Sequence, residues 1–411
     1  MTFGLCLRGA LVAALALAGT GIFAPAQKKS RIELVIQRDP LSGCCEEACS
    51  VAFSPDGKIL ASKLYPSGFG GHDGIILWDV SKGRLIRGLP GPPEGVYSIF
   101  FSPDGRNIAS QKGIMWDIES GRAYDARPDD VVNPGNPSDY RTCYVGFSPD
   151  GSVVSSGTGR SGSAVTFRDA SSRRVLRTFT TQDKTGLVLK FDKSGSLLLS
   201  KGGFGDFIHL FDANTGRLLS RIMPECETYD EVAYSSDGKL VAVRGCEDGN
   251  RSTINIFDAA TGTIVRNLDG HSSLIFALDF SPDAKVLASA SSDRTVKLWD
   301  VTNGSLLHTL EGHSMLVRSV AFSPDGKMIA SGGGDNETKL WSADGQLLIT
   351  FRVFNDGNWI AYTPDAYYNR SEGAAKYIRW RVGNETRGEG SFRGRFNRPD
   401  AVAARLRSST H

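Results

Sequence analysis

After its first 26 residues this sequence has no apolar run long enough to cross a membrane as a helix. It also has little net charge: 47 Lys and Arg stand against 45 Asp and Glu, leaving +2. That balance provides no global field toward nucleic acid, and no nucleic-acid partner is expected. Histidine is scarce, with six residues, and none forms the spaced pair of a metal site. Gly-x-Ser-x-Gly and phosphate-loop patterns are missing. Paired Cys-x-x-Cys spacing is missing as well, so the seven cysteines do not read as a zinc set. No catalytic, cofactor-binding or metal-binding residue is assigned.

The first 26 residues are set apart. Arg8 is their only charge, an apolar run covers residues 10–18 and resumes at Ile22 and Phe23, and Ala24-Pro25-Ala26 follows. A positive start, a short apolar core and small residues at a cleavage position read as a signal peptide cut after Ala26. The expected location is therefore exported, periplasmic or extracellular in a bacterium, with no membrane span after cleavage. Cys6 leaves with the signal, and Cys44, Cys45, Cys49, Cys143, Cys226 and Cys246 remain. An even set in an exported chain suggests disulfides, and six cysteines allow 15 pairings. Cys226 precedes the fifth unit described below and Cys246 lies in that unit's loop, so this pair is a candidate disulfide. The pairing of the other four stays open.

A chain of 411 residues is long for one compact domain unless it is a repeat array. One pattern does repeat. FSPDG begins at Phe53, Phe101, Phe147 and Phe322, with variants FDKSG at Phe191, YSSDG at Tyr234 and FSPDA at Phe280. These seven anchors stand 42 to 48 residues apart, a period that suits a four-stranded unit. Residues 316–351 show its content. VRSVAF alternates as a half-buried strand, Ser-Pro-Asp-Gly turns the chain, and KMIAS, TKLW and QLLITF follow with short turns between them. Short turns make every pairing antiparallel.

Residues 270–300, GHSSLIFALDFSPDAKVLASASSDRTVKLWD, and 312–341, GHSMLVRSVAFSPDGKMIASGGGDNETKLW, resemble the WD40 repeat family. Weaker copies cover about residues 44–269. The resemblance implies an all-β, closed propeller of seven four-stranded units over residues 31–352. It further implies that His271, Ser289, Asp293 and Trp299, and likewise His313, Ser331, Asp335 and Trp341, form hydrogen-bonded structural sets and not catalytic ones. His209 and His308 lie within expected strands and match no carboxylate pattern. In such a fold the loops before the first strand and between the second and third strands share one rim. Here those loops mix Gly with aromatic and Arg residues, the usual anchors of binding surfaces. Tyr65, Phe69, Arg160, Phe204, Arg251 and Arg294 are the partner-binding candidates.

Two classes of function fit. One is a non-enzymatic extracytoplasmic scaffold, monomeric, that binds a protein or an envelope polymer. The other is a propeller enzyme or small-ligand binder with a site at the central opening. The inner strands carry only Glu231, Asp279, Lys190 and Arg318 as charges, too sparse and mixed for a reaction, so the first is preferred.

Residues 353–384 contain WIAYTPDAYY and YIRWRV, and residues 385–411 form a basic tail with an expected short helix. This stretch resembles a segment that follows WD40 arrays in bacterial proteins, some with a caspase-like peptidase. The matching positions include Trp359, Thr363-Pro364-Asp365, Trp380-Arg381 and Arg398-Pro399-Asp400, and the expectation is a repeat array without the peptidase. Residues 31–37, RIELVIQ, lack three strands of their own. The expectation is that the strands of 359–382 join them as a divergent eighth unit, the alternative being a capping hairpin.

Overall fold

The Ser-Pro-Asp-Gly turn shows how the repeat folds. Ser54 Oγ donates to Asp56 Oδ1 at 2.7 Å and accepts from the Ile59 N–H at 2.9 Å. The Gly57 N–H closes the turn on the Ser54 carbonyl, and its φ of 70° is the left-handed conformation glycine adopts without steric cost. The same hydroxyl–carboxylate bond recurs at Ser102–Asp104, Ser235–Asp237, Ser281–Asp283 and Ser323–Asp325. Each copy thereby satisfies polar groups at a turn that neighbouring sheets partly cover.

The structure is a computed structural model that describes residues 32–37, 50–64, 74–91, 96, 98–110, 114–125, 144–148, 153–157, 164–169, 174–180, 185–191, 197–202, 207–223, 232–248 and 251–407. Among these, the repeats form seven antiparallel sheets, each from four consecutive strands. The first is built from Val51–Phe53, Ile59–Leu64, Gly74–Asp79 and Arg84–Leu89. The next five cover residues 99–125, 144–180, 185–222, 232–271 and 275–311. The seventh is built from Val317–Phe322, Met328–Gly333, Glu337–Ser342 and Leu347–Val353. A bulge recurs between the third and fourth strands, at Leu298/Trp299 in the sixth sheet and Leu340/Trp341 in the seventh, where it adds local twist.

The apolar residues of facing sheets meet. Leu298 and Leu310 of the sixth sheet pack with Val320, Phe322 and Trp341 of the seventh. Clusters of the same kind join the fourth sheet to the fifth and the fifth to the sixth. Trp78 and Leu60 of the first sheet share a cluster with Met328, Ile349 and Phe351 of the seventh.

The C-terminal segment departs from the expected eighth four-stranded unit. Trp359–Tyr362 pairs with Leu347–Val353, and Tyr368–Arg370 pairs with Trp359–Tyr362, so both extend the seventh sheet to six strands. Ile378–Val382 instead pairs with the N-terminal strand Ile32–Ile36 and with Glu385–Gly388, in a separate three-stranded sheet. The division has a local cause. A 3-10 turn at Glu372–Tyr377 follows Tyr368–Arg370, and its leading Ser371 accepts from the Trp359 N–H and donates to Asn358. The edge that the next strand would need is occupied further by Asn397, which bridges Tyr368, and by the Arg398 N–H on the Tyr368 carbonyl. Ile378 and Trp380 pack instead with Ile32, Leu34, Tyr368, Phe392 and Phe396 in a second, smaller core. The helix Pro399–Arg407 buries Val402 and Leu406, four residues apart on one face.

Candidate functional site

In each sheet the entry to the first strand and the loop between the second and third strands lie at the same end. The Ser-Pro-Asp-Gly turn lies at the other. The His-Ser-Asp-Trp residues of the sixth and seventh units come together below the first of these ends. Trp299 Nε1 donates to Ser289 Oγ at 2.8 Å, His271 Nε2 meets that oxygen at 2.7 Å, and His271 Nδ1 meets Asp293 Oδ2 at 2.7 Å. In the seventh unit Trp341 Nε1 donates to Ser331 Oγ at 2.9 Å, His313 Nε2 lies 2.8 Å from it, and Nδ1 lies 3.0 Å from Asp335. Asp335 also accepts from the Ser314 N–H at 2.8 Å, and Asp293 from Ser272 at 3.2 Å. The seventh set therefore pins the entry loop at His313 to the loop between the second and third strands, and the sixth pins the end of the fifth sheet's Ile264–His271 strand to the corresponding loop at Asp293. Gly270 and Gly312, at φ 154° and 153°, lie flat against the two indoles, where a Cβ would press on the ring at 3.1 and 3.2 Å.

Burial alone would raise the Asp293 carboxyl, but hydrogen bonds from His271 and Thr295 and the charge of His271 outweigh it. The group is held well below the ordinary carboxylate range. At Asp335 burial is likewise overcome by the His313 bond and charge, the Ser314 N–H and Lys339. These side chains are largely buried and mutually bonded.

Other units carry only parts of the set. Trp78 Nε1 donates to Ser62 Oγ at 3.0 Å in the first sheet, and Trp116 Nε1 donates to the Pro90 carbonyl at 2.9 Å in the second. His209 is buried and stacks on Phe211. His308 is exposed on Leu306–Glu311.

Of the partner-binding candidates, Arg294 is exposed on the loop after Ser291 and has φ 72°. On the same rim Leu274, Phe276, Met315 and Leu316 are half-buried, and the Arg318 guanidinium lies 4.3 Å over the Phe276 ring. Tyr65, Phe69, Arg160, Phe204 and Cys226 lie outside the described residues, as do Cys44, Cys45, Cys49 and Cys143 and residues 1–31. Cys246 and Arg251 sit on strands Leu240–Asp248 and Arg251–Asp258, with their side chains outside the description.

One buried network was not visible in the sequence. Glu337 receives Lys339 Nζ at 2.7 Å, Arg352 Nη1 at 3.3 Å and the Tyr362 hydroxyl at 2.9 Å. Lys339 also donates to Thr350 Oγ1 at 3.2 Å. Burial and the Glu337 charge push the Tyr362 phenol well above its ordinary value, so it stays a donor. Because Lys339 also acts on Asp335, the network connects the C-terminal strand Trp359–Tyr362 to the rim of the seventh sheet. Among the described residues no group of three His, Cys, Asp or Glu side chains converges on a metal position, and no helix is long and apolar enough to cross a membrane.

Comparison with known proteins agrees with this geometry. The model for the WD domain, G-beta repeat, matches residues 262–300 and 304–342. Each match begins beside the fourth strand of one sheet and runs through three strands of the next. The chain is 26% identical over 231 residues to the WD repeat-containing protein SL1-17 of Schistosoma mansoni, covering 54% of this chain and 56% of that protein. It is 34% identical over 99 residues to the WD repeat and SOCS box-containing protein 1 of Danio rerio, 24% of this chain and 23% of that protein. Autophagy-related protein 16 of Arabidopsis thaliana is 24% identical over 236 residues, 54% of this chain and 43% of that one. The chain thus spans about half or less of the length of the curated relatives it matches. The matches place WD40-type repeats at residues 262–342, and the described residues are all-β, built mainly of four-stranded antiparallel sheets.

Proposed function

We propose that the chain is a closed seven-unit propeller that acts outside the cytoplasm as a protein-binding scaffold, using the rim of the sixth and seventh units. One observation carries the scaffold reading. The polar chemistry of the two best repeats is consumed inside the sheets, while the same rim carries the exposed Arg294 and the half-buried Leu274, Phe276, Met315 and Leu316, with Arg318 over the Phe276 ring. Arg and aromatic side chains are enriched at protein-recognition hot spots. WD-repeat relatives whose names join the repeats to other modules are consistent with this.

Closure rests on the turns. Gly105 lies against Pro55 and Gly326 against Pro282, contacts between consecutive units, and Gly57 of the first unit lies in the same way against Pro324 of the seventh. A ring leaves only short sheet edges exposed. Export rests on the N-terminal segment and the even cysteine set, with Cys226–Cys246 as the proposed disulfide.

Proximity labelling in the native cell envelope tests the scaffold. A fusion of the wild-type chain should label a reproducible set of proteins, and Arg294→Glu with Met315→Lys should deplete that set at unchanged circular dichroism. Labelling that is identical in both ends the rim assignment. A reporter that is active only in an oxidising compartment, fused after residue 40, tests export. A non-reducing peptide map without a Cys226–Cys246 fragment removes the disulfide.

A further inference from the structure

Five of the neighbouring sheet pairs meet at one repeated position, the residue after an apolar pair near the start of the fourth strand. Arg177 Nη1 donates to the Asn214 carbonyl at 2.8 Å, Ser220 Oγ donates to the Ala259 carbonyl, and Arg266 Nε donates to the Thr302 carbonyl at 3.1 Å. Each acceptor lies in the Asp-x-x-x-Gly turn of the following sheet. At the same position Arg87 lies against Gly121 and His308 against Gly345, again in the next sheet's turn.

The seventh sheet breaks the pattern. Its residue there is Ile349, which has no donor to offer. Opposite it is Gly83, at the end of the first sheet's Asp79–Gly83 turn, with φ 57°. A Cβ on Gly83 would fall 2.6 Å from Val402, 3.1 Å from Ile349 and 3.3 Å from Leu406. The junction of the last and first sheets is therefore apolar, and the helix Pro399–Arg407 fills it. Other parts of the C-terminal segment reach the same junction. Asn369 Nδ2 donates to the Gly83 carbonyl at 3.3 Å, and the Trp359 ring meets Trp78 edge-on at 6.1 Å. Among the described residues no repeat sheet is shared by the two ends of the chain, since each uses consecutive strands, four in the first six sheets and six in the seventh. The ends are joined instead in the small module, through Ile32–Ile36 on Ile378–Val382.

We propose that this terminal module is the latch of the ring, with Pro399–Arg407 as its bolt, and that the junction of the first and seventh sheets is where the ring opens. The proposal rests on the closed-ring reading above. Beside the bolt a half-open groove of about 480 Å³ is bounded by Pro55 and Val80 of the first sheet, Pro324 and Met328 of the seventh, and Leu406 and Arg407 of the helix. A ring stitched by an exchanged strand opens only by breaking a ladder of backbone hydrogen bonds, whereas this junction is held by side-chain packing, to which Val402 and Leu406 of the helix contribute.

Hydrogen exchange on the full-length protein tests this with three variants. In the wild type, Val51–Phe53 and Val317–Phe322 exchange as slowly as strands at the fifth–sixth junction. Val402→Asp with Leu406→Asp speeds exchange at least tenfold in the first and seventh sheets and leaves Arg251–Asp258 unchanged. Val402→Ala gives the same pattern with smaller amplitude, and serves if the double variant fails to fold. Adding Ile349→Arg to the double variant supplies a donor toward the Ser81 carbonyl, and protection returns at the junction. Uniform loss across all sheets, no change, or no rescue by Ile349→Arg overturns the latch. If the wild-type junction already exchanges fast, the closed ring itself fails.

Discussion

Each of the two indoles Trp299 and Trp341 donates its only polar hydrogen to a serine that a histidine also holds, and each histidine is in turn held by an aspartate. At this scale the acid sensitivity of the fold can be worked out. Asp293 and Asp335 are both held below the ordinary carboxylate range in the folded state. A group with a depressed folded pKa contributes stability that is fully present above its unfolded value, about 4, and is lost as pH falls through the folded value. Tryptophan fluorescence should therefore report a denaturation midpoint that is flat above pH ~5 and falls steadily below pH ~4. Asp335→Asn should flatten that fall and destabilise the protein by about 3 kcal/mol at pH 7, since it leaves His313 and Lys339 facing a neutral partner. A second residue carries strain. Ala284 replaces the turn glycine of the sixth unit and still has φ 59°. Ala284→Gly should stabilise by about 1 kcal/mol in chemical denaturation, with Gly326→Ala costing a similar amount. The His-Ser-Asp-Trp sets could be read from the sequence because their members recur at fixed spacing within one repeat. The Glu337 network could not, because Glu337 meets Arg352 through strand register and Tyr362 from a strand whose partner the repeat pattern does not specify.

Among the elements, the seven repeat sheets were legible for a plain reason: a Pro-Asp turn, period-two alternation and an Asp-x-x-x-Gly turn each fix a local geometry. The C-terminal strands show where that logic stops. Their apolar alternation announces strands, and Ile32–Ile36 does pair with Ile378–Val382 as the apolar pattern of both suggests. Which sheet Trp359–Tyr362 joins depends instead on Ser371 and Asn358 closing the 3-10 turn, a side-chain effect with no repeat to reveal it. The same strand gives a sharp test. Tyr362 brings a hydroxyl from the added strand to Glu337 in the seventh sheet. Tyr362→Phe keeps the ring packing and removes one donor from a buried carboxylate, so it should cost about 2 kcal/mol in urea denaturation. Were the strand only lying on the surface, the substitution would be silent.

For the whole molecule, the arrangement of the two chain ends decides how it unfolds. An open array of repeats frays from its terminal units, while a ring has no terminal unit until one junction gives way. Here the strand Trp359–Tyr362 and the helix Pro399–Arg407 share the core of the last junction, with Trp78, Phe351, Ala361, Val402 and Leu406 in one cluster. On the proposed closed ring, wild-type protein should unfold in a single calorimetric transition. The strand Ile32–Ile36 contributes Ile32, Leu34 and Ile36 to the module's own core and nothing to the junction directly. Deleting residues 27–37 removes five backbone pairings from Ile378–Val382 and uncovers Trp380, which is fully buried when the strand is present. The loss falls on the module first. Calorimetry of the deletion variant should therefore resolve an early transition, accompanied by a red shift of tryptophan emission, ahead of the main unfolding of the sheets. A single transition merely shifted to lower temperature would mean that the module and the ring are one cooperative unit even without the N-terminal strand. A main transition left at its wild-type temperature, with the early one separate, would mean that the module does not support the junction at all. The expected result lies between these: an early module transition and a main transition lowered by the loss of the helix from the Gly83–Ile349 contact.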